Sequence, residues 1–207
     1  MRPHIIGIAG ASSSGKTELA RQLRLKLPGT SIVSLDSYYR AISHLPLEER
    51  AKTNFDHPDA LDWELLHEHL RDLTEGRAFE EPVYSFAEHT RLPGTRIIEP
   101  HEFVIVEGLF VFYWPELRGI LDTKVFVQTD PDVCFQRRLK RDVAERGRTP
   151  ESVREQYART VLPGAEWFVW PTRKYADLTV SGEEPLDHST AAVMGALHRA
   201  KAAAAGG

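Results

Sequence analysis

Residues 10–17 read Gly10-Ala11-Ser12-Ser13-Ser14-Gly15-Lys16-Thr17, the G-x-x-x-x-G-K-T spacing of a phosphate-binding loop. Each position has a physical task. Gly10 and Gly15 allow backbone angles that a side chain would block. The N–H groups of the loop, Ala11 to Ser14 included, then turn inward and make a concave anion site at the start of the next helix. Lys16 brings a point charge to the β- and γ-phosphates, and Thr17 offers a hydroxyl to Mg²⁺. A glycine-rich turn that merely joins a strand to a helix is the structural alternative.

Two carboxylates stand where such a loop needs them. Asp36 follows the run Ser31–Leu35, and Glu107 follows Phe103–Val106. Ligands of an open parallel sheet sit at the carboxyl ends of its strands, so both acids are expected at the edge that carries the loop. Glu107 is placed to hold Mg²⁺, directly or through water. Asp36 is placed to accept a proton from an attacking hydroxyl. A carboxylate is too weak to ionise an alcohol outright, but in a loose phosphoryl-transfer transition state the proton leaves late. A helix cap or a turn is the alternative for either residue.

Arg137, Arg138, Lys140, Arg141, Arg146 and Arg148 crowd into one segment, against Asp142 and Glu145. On a helix Arg137, Arg138 and Arg141 share a broad face, and Gly147 would end that helix and let Arg148 turn back. Forked guanidiniums suit phosphate oxygens. A lid helix closing over ATP would stabilise transition-state charge, worth about 4–7 kcal/mol in arginine-finger systems. A solvated basic helix face is the bland reading. Two further segments suggest an acceptor side: Asn54–Asp62, dense in turn formers and carboxylates, and Pro82–Arg91, which mixes aromatic with hydrogen-bonding groups. Carboxylates suit ribose hydroxyls; Tyr, Phe and His suit a base that must be stacked and read at its edge. Ordinary turn and core packing competes with this reading.

These residues must be carried by a scaffold. Short apolar, β-branched runs predict strands at His4–Ala9, Ser31–Leu35, Phe103–Val106, Lys124–Val127 and Leu178–Val180, as in a sheet covered on both faces. Helical periodicity predicts helices over Glu18–Leu27, Leu61–Glu75, Pro131–Arg146, Pro150 to about Thr160, and His188–Ala203. The alternation implies an α/β fold: a P-loop NTPase-type doubly wound parallel sheet. It carries an added β-hairpin within Glu81–Glu99, turning at Leu92-Pro93-Gly94, and a helical lid near residues 131–150. The acceptor region falls near 54–91, and residues 1–207 read as one kinase domain.

The chain has 207 residues and a formal net charge of −4, which argues against a general nucleic-acid binder. Its one cysteine, Cys134, fits a reducing compartment. The first strand begins too early for a signal peptide. The most apolar stretch, Phe103–Trp114, is broken by Glu107 and too short for a bilayer. A cytoplasmic enzyme with small-molecule partners, and neither nucleic acid nor membrane, is expected. His67-Glu68-His69 lacks zinc-ligand helical spacing and reads as an exposed helix face, and Trp167–Trp170 reads as packing or a subunit contact.

Taken in order, the loop, Asp36-Ser37-Tyr38-Tyr39-Arg40, Asn54–Asp62, Pro82–Arg91, Val104–Gly108, Arg137–Arg148, Glu155-Gln156-Tyr157 and Pro171–Asp177 resemble the uridine kinase (uridine–cytidine kinase) family across nearly the whole chain. The resemblance implies ATP-dependent, Mg²⁺-assisted phosphorylation of the 5′-hydroxyl of uridine, and of cytidine. It implies Asp36 as the catalytic carboxylate beside Lys16, with Asp56 on the ribose. Tyr84 and His89 would lie on the pyrimidine edge, with Phe86 beside the base. Arg138, Arg141 and Arg148 would meet the phosphates, with Arg148 and Gln156 also reaching the nucleoside, and the assembly would be a homotetramer. The chain departs from the family at Ser85, where aspartate is usual, at Cys134 for arginine, and at Gln128 for aspartate. A phosphoribulokinase- or pantothenate kinase-like enzyme, a GTP-binding switch and a nucleotide-binding regulator without catalysis are the rivals. The Tyr84–His89 segment disfavours the first. Neither Asn-Lys-x-Asp nor Asp-x-x-Gly occurs, against the second. Lys16, Thr17, Asp36 and Glu107 together disfavour the third.

Overall fold

A computed structural model describes residues 2–205. Five strands form a parallel sheet in the order β2-β5-β1-β6-β7: β1 (His4–Gly10), β2 (Thr30–Ser34), β5 (Phe103–Gly108), β6 (Thr123–Gln128) and β7 (Leu178–Ser181). The strand predictions hold, with ends shifted by one or two residues. Leu35 is the main exception, because the chain tightens into a 3₁₀ turn over Leu35–Tyr38 as soon as β2 ends. β1 is central, paired with β5 on one side and β6 on the other.

The continuous apolar runs still obey the two-residue period of a strand. Ile5 and Ala9 of β1, Val104 and Val106 of β5, and Phe126 of β6 enter one core. Ile6 and Ile8, Phe103 and Ile105, and Val125 and Val127 enter the other. The second core is covered by α1 (Lys16–Lys26), through Leu19 and Leu23, and by α8 (Leu186–Ala205), through Val193 and Leu197. The first is covered by α3 (Trp63–Thr74), α4 (Pro115–Ile120) and the segment near Val169; α2 is a single turn at Leu47–Arg50. Helices on both faces of a parallel sheet are the doubly wound arrangement expected from the alternation of elements.

The basic segment is a helix over the predicted range, α5 (Pro131–Arg146), capped by the Asp130 side chain and ended by Gly147 in the left-handed region. The next helix runs on past its predicted end. After α6 (Pro150–Gln156) the chain passes through a π turn at Tyr157–Val161, α7 (Leu162–Gly164), a second π turn at Ala165–Val169 and a 3₁₀ stretch at Trp170–Tyr175. Pro163 cannot donate to a regular helix, and the widened turns absorb that missing bond.

The hairpin is present as β3 (Phe79–Ser85) and β4 (Thr90–Ile98), antiparallel and outside the main sheet. Its turn is not at Leu92-Pro93-Gly94, as the sequence suggested, but at Phe86–His89. Pro82 pairs with Thr95 and Val83 with Leu92, so Pro93 and Gly94 bulge out of the middle of β4. Proline has no N–H to give the ladder, and Gly94 takes φ 107°, so the pair marks a bulge rather than a reversal. The Ser85 hydroxyl, a departure from the family pattern, accepts from Glu88 N at 3.1 Å and holds the true turn. His69 is likewise not simply exposed: it stacks on Phe79 and bonds to the Tyr38 hydroxyl, fixing the hairpin to α3. Trp167 is exposed, whereas Val169 is buried and Phe168 and Trp170 pack against the core.

Ile8 is fully buried in the central strand, with neighbours on both sides in the sheet and helices above it. Ile8→Ala should lower unfolding stability by about 2–5 kcal/mol in urea titration. A loss below about 1 kcal/mol would mean that this core closes over the cavity.

Candidate active site

The turn from β1 into α1 is built as its residues dictate. Gly15 takes φ 104° at the N-cap of α1, a conformation that strains any residue with a Cβ. Ser13 is left-handed as well, at φ 63°. Lys16 Nζ folds over the loop and donates to the Ala11 carbonyl at 3.2 Å. The hydroxyl of Ser13, a residue of the cavity wall, is buried and has no hydrogen-bond partner in the protein, as expected where an oxyanion is to complete the shell.

Glu107 lies within β5, opposite Ile8 and Ser34, rather than after the strand. Its carboxylate accepts from Thr17 Oγ1 at 3.1 Å and from Ser34 Oγ at 3.0 Å. Burial pushes its pKa up, and Lys16 is the chief opposing influence. One hydroxyl and one buried carboxylate in contact suit Mg²⁺, which keeps most of its shell as water and phosphate oxygen. They are too few for a closed protein cage, and no cluster of three His, Cys, Asp or Glu able to hold a metal occurs among the described residues. Asp36 sits half-buried in the 3₁₀ turn after β2.

The guanidiniums of the lid gather on Asp142, which has no exposure. Arg141 lies 2.8 Å from it, Arg138 3.4 Å, Arg146 3.6 Å and Arg148 3.8 Å. Arg138 also reaches out of the helix, donating to Ser12 Oγ of the loop at 2.7 Å and to Gln156 Oε1 at 2.9 Å. Arg148 turns back after Gly147 and shares Gln156 Oε1 with Arg138. Arg137 donates to the Gly182 carbonyl at 2.8 Å. The basic segment is therefore no solvated stripe; α5 is bonded to the phosphate loop.

The two readings of the acceptor segments divide by residue. Pro58–Ala60 make a 3₁₀ turn capped by the His57 side chain, while Asp56 is buried and accepts from the Thr160 hydroxyl at 3.0 Å. Burial raises the Asp56 pKa, with Arg138 and Thr160 opposing. Phe55 meets Tyr39 and Tyr84 edge to face, Tyr39 and Tyr84 meet at a tilt, and Phe55 stacks on His89, with centroids 5.9 Å apart and planes 17° from parallel. His89 is left-handed at φ 51°, a strained setting for a non-glycine residue. Burial, then Arg148, Arg146 and Arg50, lower its pKa, so the ring is neutral at pH 7.

All these parts open into one cavity of about 640 Å³, within the usual range for small-ligand sites. From the loop side it is lined by Ser12, Ser13, Gly15, Lys16 and Thr17, and from the lid by Arg138, Arg141, Arg148 and Gln156. Asp36, Asp56, Tyr84, Phe86 and His89 form the rest of its predicted wall. Gly10, Ala11, Ser14 and Glu107 do not line it; they lie buried directly behind. Some participants are named from the sequence only as members of a segment, with no role of their own. Tyr39, Phe55 and Arg146 line the cavity, and Asp142 holds the arginines. Asp142 had a legible signal, an acid four residues after Arg138 and four before Arg146.

A phosphate loop beside a strand-end carboxylate, an arginine helix and an aromatic pocket defines a P-loop phosphotransferase with a small-molecule acceptor. The fold agrees with solved structures: phosphoribulokinase from Rhodobacter spheroides (TM-score 0.65, 18% identity, covering 89% of this chain and 74% of that one) and D-glycerate 3-kinase from Cryptococcus neoformans (TM-score 0.63, 18% identity, 89% and 88%). The particular family is fixed by sequence. Residues 5–185 match the phosphoribulokinase / uridine kinase family, and the chain belongs to it. Uridine kinase of Shewanella amazonensis is 51% identical over 182 residues, covering 85% of this chain and 86% of that protein. Uridine kinase of Chloroflexus aggregans is 51% identical over 182 residues, covering 87% of each.

The back of the loop is braced by a residue that carries no side chain. A Cβ at Gly182 would stand 2.0 Å from the Ser14 carbonyl oxygen and 2.2 Å from the Thr129 hydroxyl. That hydroxyl itself donates to the Ser14 carbonyl at 2.9 Å. Gly182→Ala should therefore push the loop forward, at about 1–3 kcal/mol, and weaken ATP in fluorescence titration. Unchanged ATP affinity would show that the β7–α8 connection, not the loop, gives way.

Proposed function

We propose that this protein is a uridine kinase, transferring the γ-phosphoryl group of ATP to the 5′-hydroxyl of uridine, and of cytidine, in pyrimidine salvage. The observation that carries the reading is a single cavity in which the phosphate loop and Asp36 face an aromatic acceptor wall. Tyr39, Phe55, Tyr84 and Phe86 offer ring faces and edges suited to a flat base, which a sugar phosphate would leave unused. That favours a nucleoside over the ribulose phosphate acceptor of the related branch. The high identity to two uridine kinases supports the same choice.

In this reading Asp56 takes the ribose hydroxyls. Neutral His89 carries one donor and one acceptor nitrogen, so with Tyr84 it can meet either a carbonyl or an amino group on the base edge. Asp36 orients the 5′-hydroxyl. As the oxygen–phosphorus bond forms and the bond to the ADP oxygen breaks, the hydroxyl proton passes to the Asp36 carboxylate. Lys16 and the arginines at 138, 141 and 148 neutralise charge on the phosphoryl oxygens and on the leaving diphosphate. Thr17 and Glu107 would hold the Mg²⁺ that accompanies ATP and supplies further charge neutralisation. The protein works as one kinase domain over residues 1–207, in the cytoplasm, on small molecules rather than nucleic acid or membrane, and as a homotetramer by family resemblance. No helix among the described residues is long and apolar enough to cross a membrane.

An ADP-release assay over a nucleoside panel, with ribulose 5-phosphate and pantothenate as controls, tests the acceptor class; turnover of a control in preference to uridine would overturn it. Asp36→Asn should cut turnover about 10²–10⁴-fold while ATP still binds, and near-normal turnover would remove Asp36 from the proton path. For His89 the lowered pKa sets the sign. Below about pH 6.5 the free imidazole takes up a proton before the buried one does. Protonation then adds a fourth positive charge beside Arg148, Arg146 and Arg50. The uridine KM should rise as pH falls through that region, and His89→Gln should flatten the rise. A profile identical in both proteins would clear His89 of the effect.

A further inference from the structure

Arg146, the last residue of α5, holds its guanidinium carbon 3.9 Å from the centroid of the Phe86 ring. Phe86 stands at the turn between β3 and β4, and at 40% exposure it belongs to no core. Its other contacts run into the acceptor wall. Phe86 meets Tyr84 edge-on at 5.3 Å, and Tyr84 meets Tyr39 at 5.2 Å and Phe55 at 6.2 Å. The opposite end of the chain of contacts is the phosphate side, since Arg146 lies 3.6 Å from the Asp142 carboxylate that also gathers Arg138, Arg141 and Arg148. A guanidinium over a ring face is attracted by the ring quadrupole, most strongly where water is kept away. Burial lowers the Arg146 pKa, which agrees with a partly desolvated guanidinium.

We propose that Phe86 is a positioning residue that couples occupancy of the acceptor pocket to placement of the lid arginines. A flat acceptor lodged against Tyr84 and Phe86 fixes the tip of the hairpin. The fixed ring holds Arg146 above it, and Arg146 is tied through Asp142 to the arginines that face the triphosphate. Because coupling between two ligands is reciprocal, ATP must tighten the acceptor by the same factor as the acceptor tightens ATP. The inference rests on the nucleoside kinase reading and adds a device for making the two substrates bind together.

The test is calorimetric. The affinity of the full chain for uridine is measured without and with a saturating non-hydrolysable ATP analogue and Mg²⁺, and the ratio is the coupling factor. A contact of this type predicts a factor of roughly 2- to 30-fold in the unaltered protein. Phe86→Tyr keeps the ring face and should keep the factor. Phe86→Leu keeps an apolar side chain at a partly exposed position but should bring the factor to near one, whatever it does to uridine binding alone. Arg146→Met reads the same contact from the other side and should lower the factor too, with no further loss in the double variant. A factor that survives Phe86→Leu, a factor of one in the unaltered protein, or losses that add in the double variant would each overturn the coupling. Normal uridine turnover with an unaltered factor overturns this inference alone. Absence of both uridine binding and turnover overturns the acceptor reading and this inference with it.

Discussion

The whole ligand-handling edge depends on one backbone constraint, the passage from β1 to α1 in the few residues between Gly10 and Lys16. A strand must stop, open its N–H groups toward a ligand, and start a helix whose first turn faces the same way. Such a loop cannot hold that shape alone, so neighbours brace it. Thr129, the residue after β6, gives its hydroxyl to the Ser14 carbonyl, and the β7–α8 connection lays Gly182 against the same atom. β5 supplies Glu107 to Thr17, and β2 ties in through Ser34. Residues in or just after four strands thus brace the one turn that leaves central β1.

The second organising fact is charge. Lys16 and the guanidiniums of residues 138, 141, 146 and 148 surround a cavity that must accept a polyanion. Without counter-charges they would repel one another in a partly dry setting. Two buried acids, Asp142 and Glu107, supply those counter-charges, each lying behind the surface that the ligand meets. Surface ion pairs of the kind seen between Arg21 and Glu18 contribute little. Asp142 is different because it has no exposure and four guanidiniums within 4 Å. A carboxylate in that position fixes arginine geometry before any phosphate arrives, which is the meaning of preorganisation here.

The sequence made the phosphate half legible because its constraints are local. The glycine-lysine-threonine spacing, the apolar run before it and the acid after each neighbouring strand are readable within about ten residues. The acceptor half is set by contacts far apart in the chain, and there the reading thinned. Pro93-Gly94 looked like a turn because turn chemistry and bulge chemistry use the same residues, and only the pairing of Pro82 with Thr95 separates them. Phe55 has no distinct local signal within Asn54–Asp62, because its partner His89, which stacks on it, lies more than thirty residues on. Gly182 carries no local signal, since its role is to leave room for Ser14, which is distant in sequence and adjacent in space. Asp142 could have been found from its spacing to Arg138 and Arg146, but it was read there as one acid among bases.

The two halves are also joined unequally. The hairpin is not a continuation of the main sheet. Side chains attach it: buried Glu81 accepts from Ser34 N and from Arg96, Arg96 reaches the Ile32 carbonyl, and Phe79 stacks on His69. The bonds to Ser34 and Ile32 meet β2 at the edge of the sheet, one strand away from β5 and two from the phosphate loop, while the Phe79 stack meets α3. Ser34 bonds both halves, giving its N–H to Glu81 of the hairpin and its hydroxyl to Glu107. Solved structures described as phosphoribulokinase and D-glycerate 3-kinase share this fold at 18% identity. In this chain the phosphate loop leaves the central strand, and the hairpin meets the sheet at its margin.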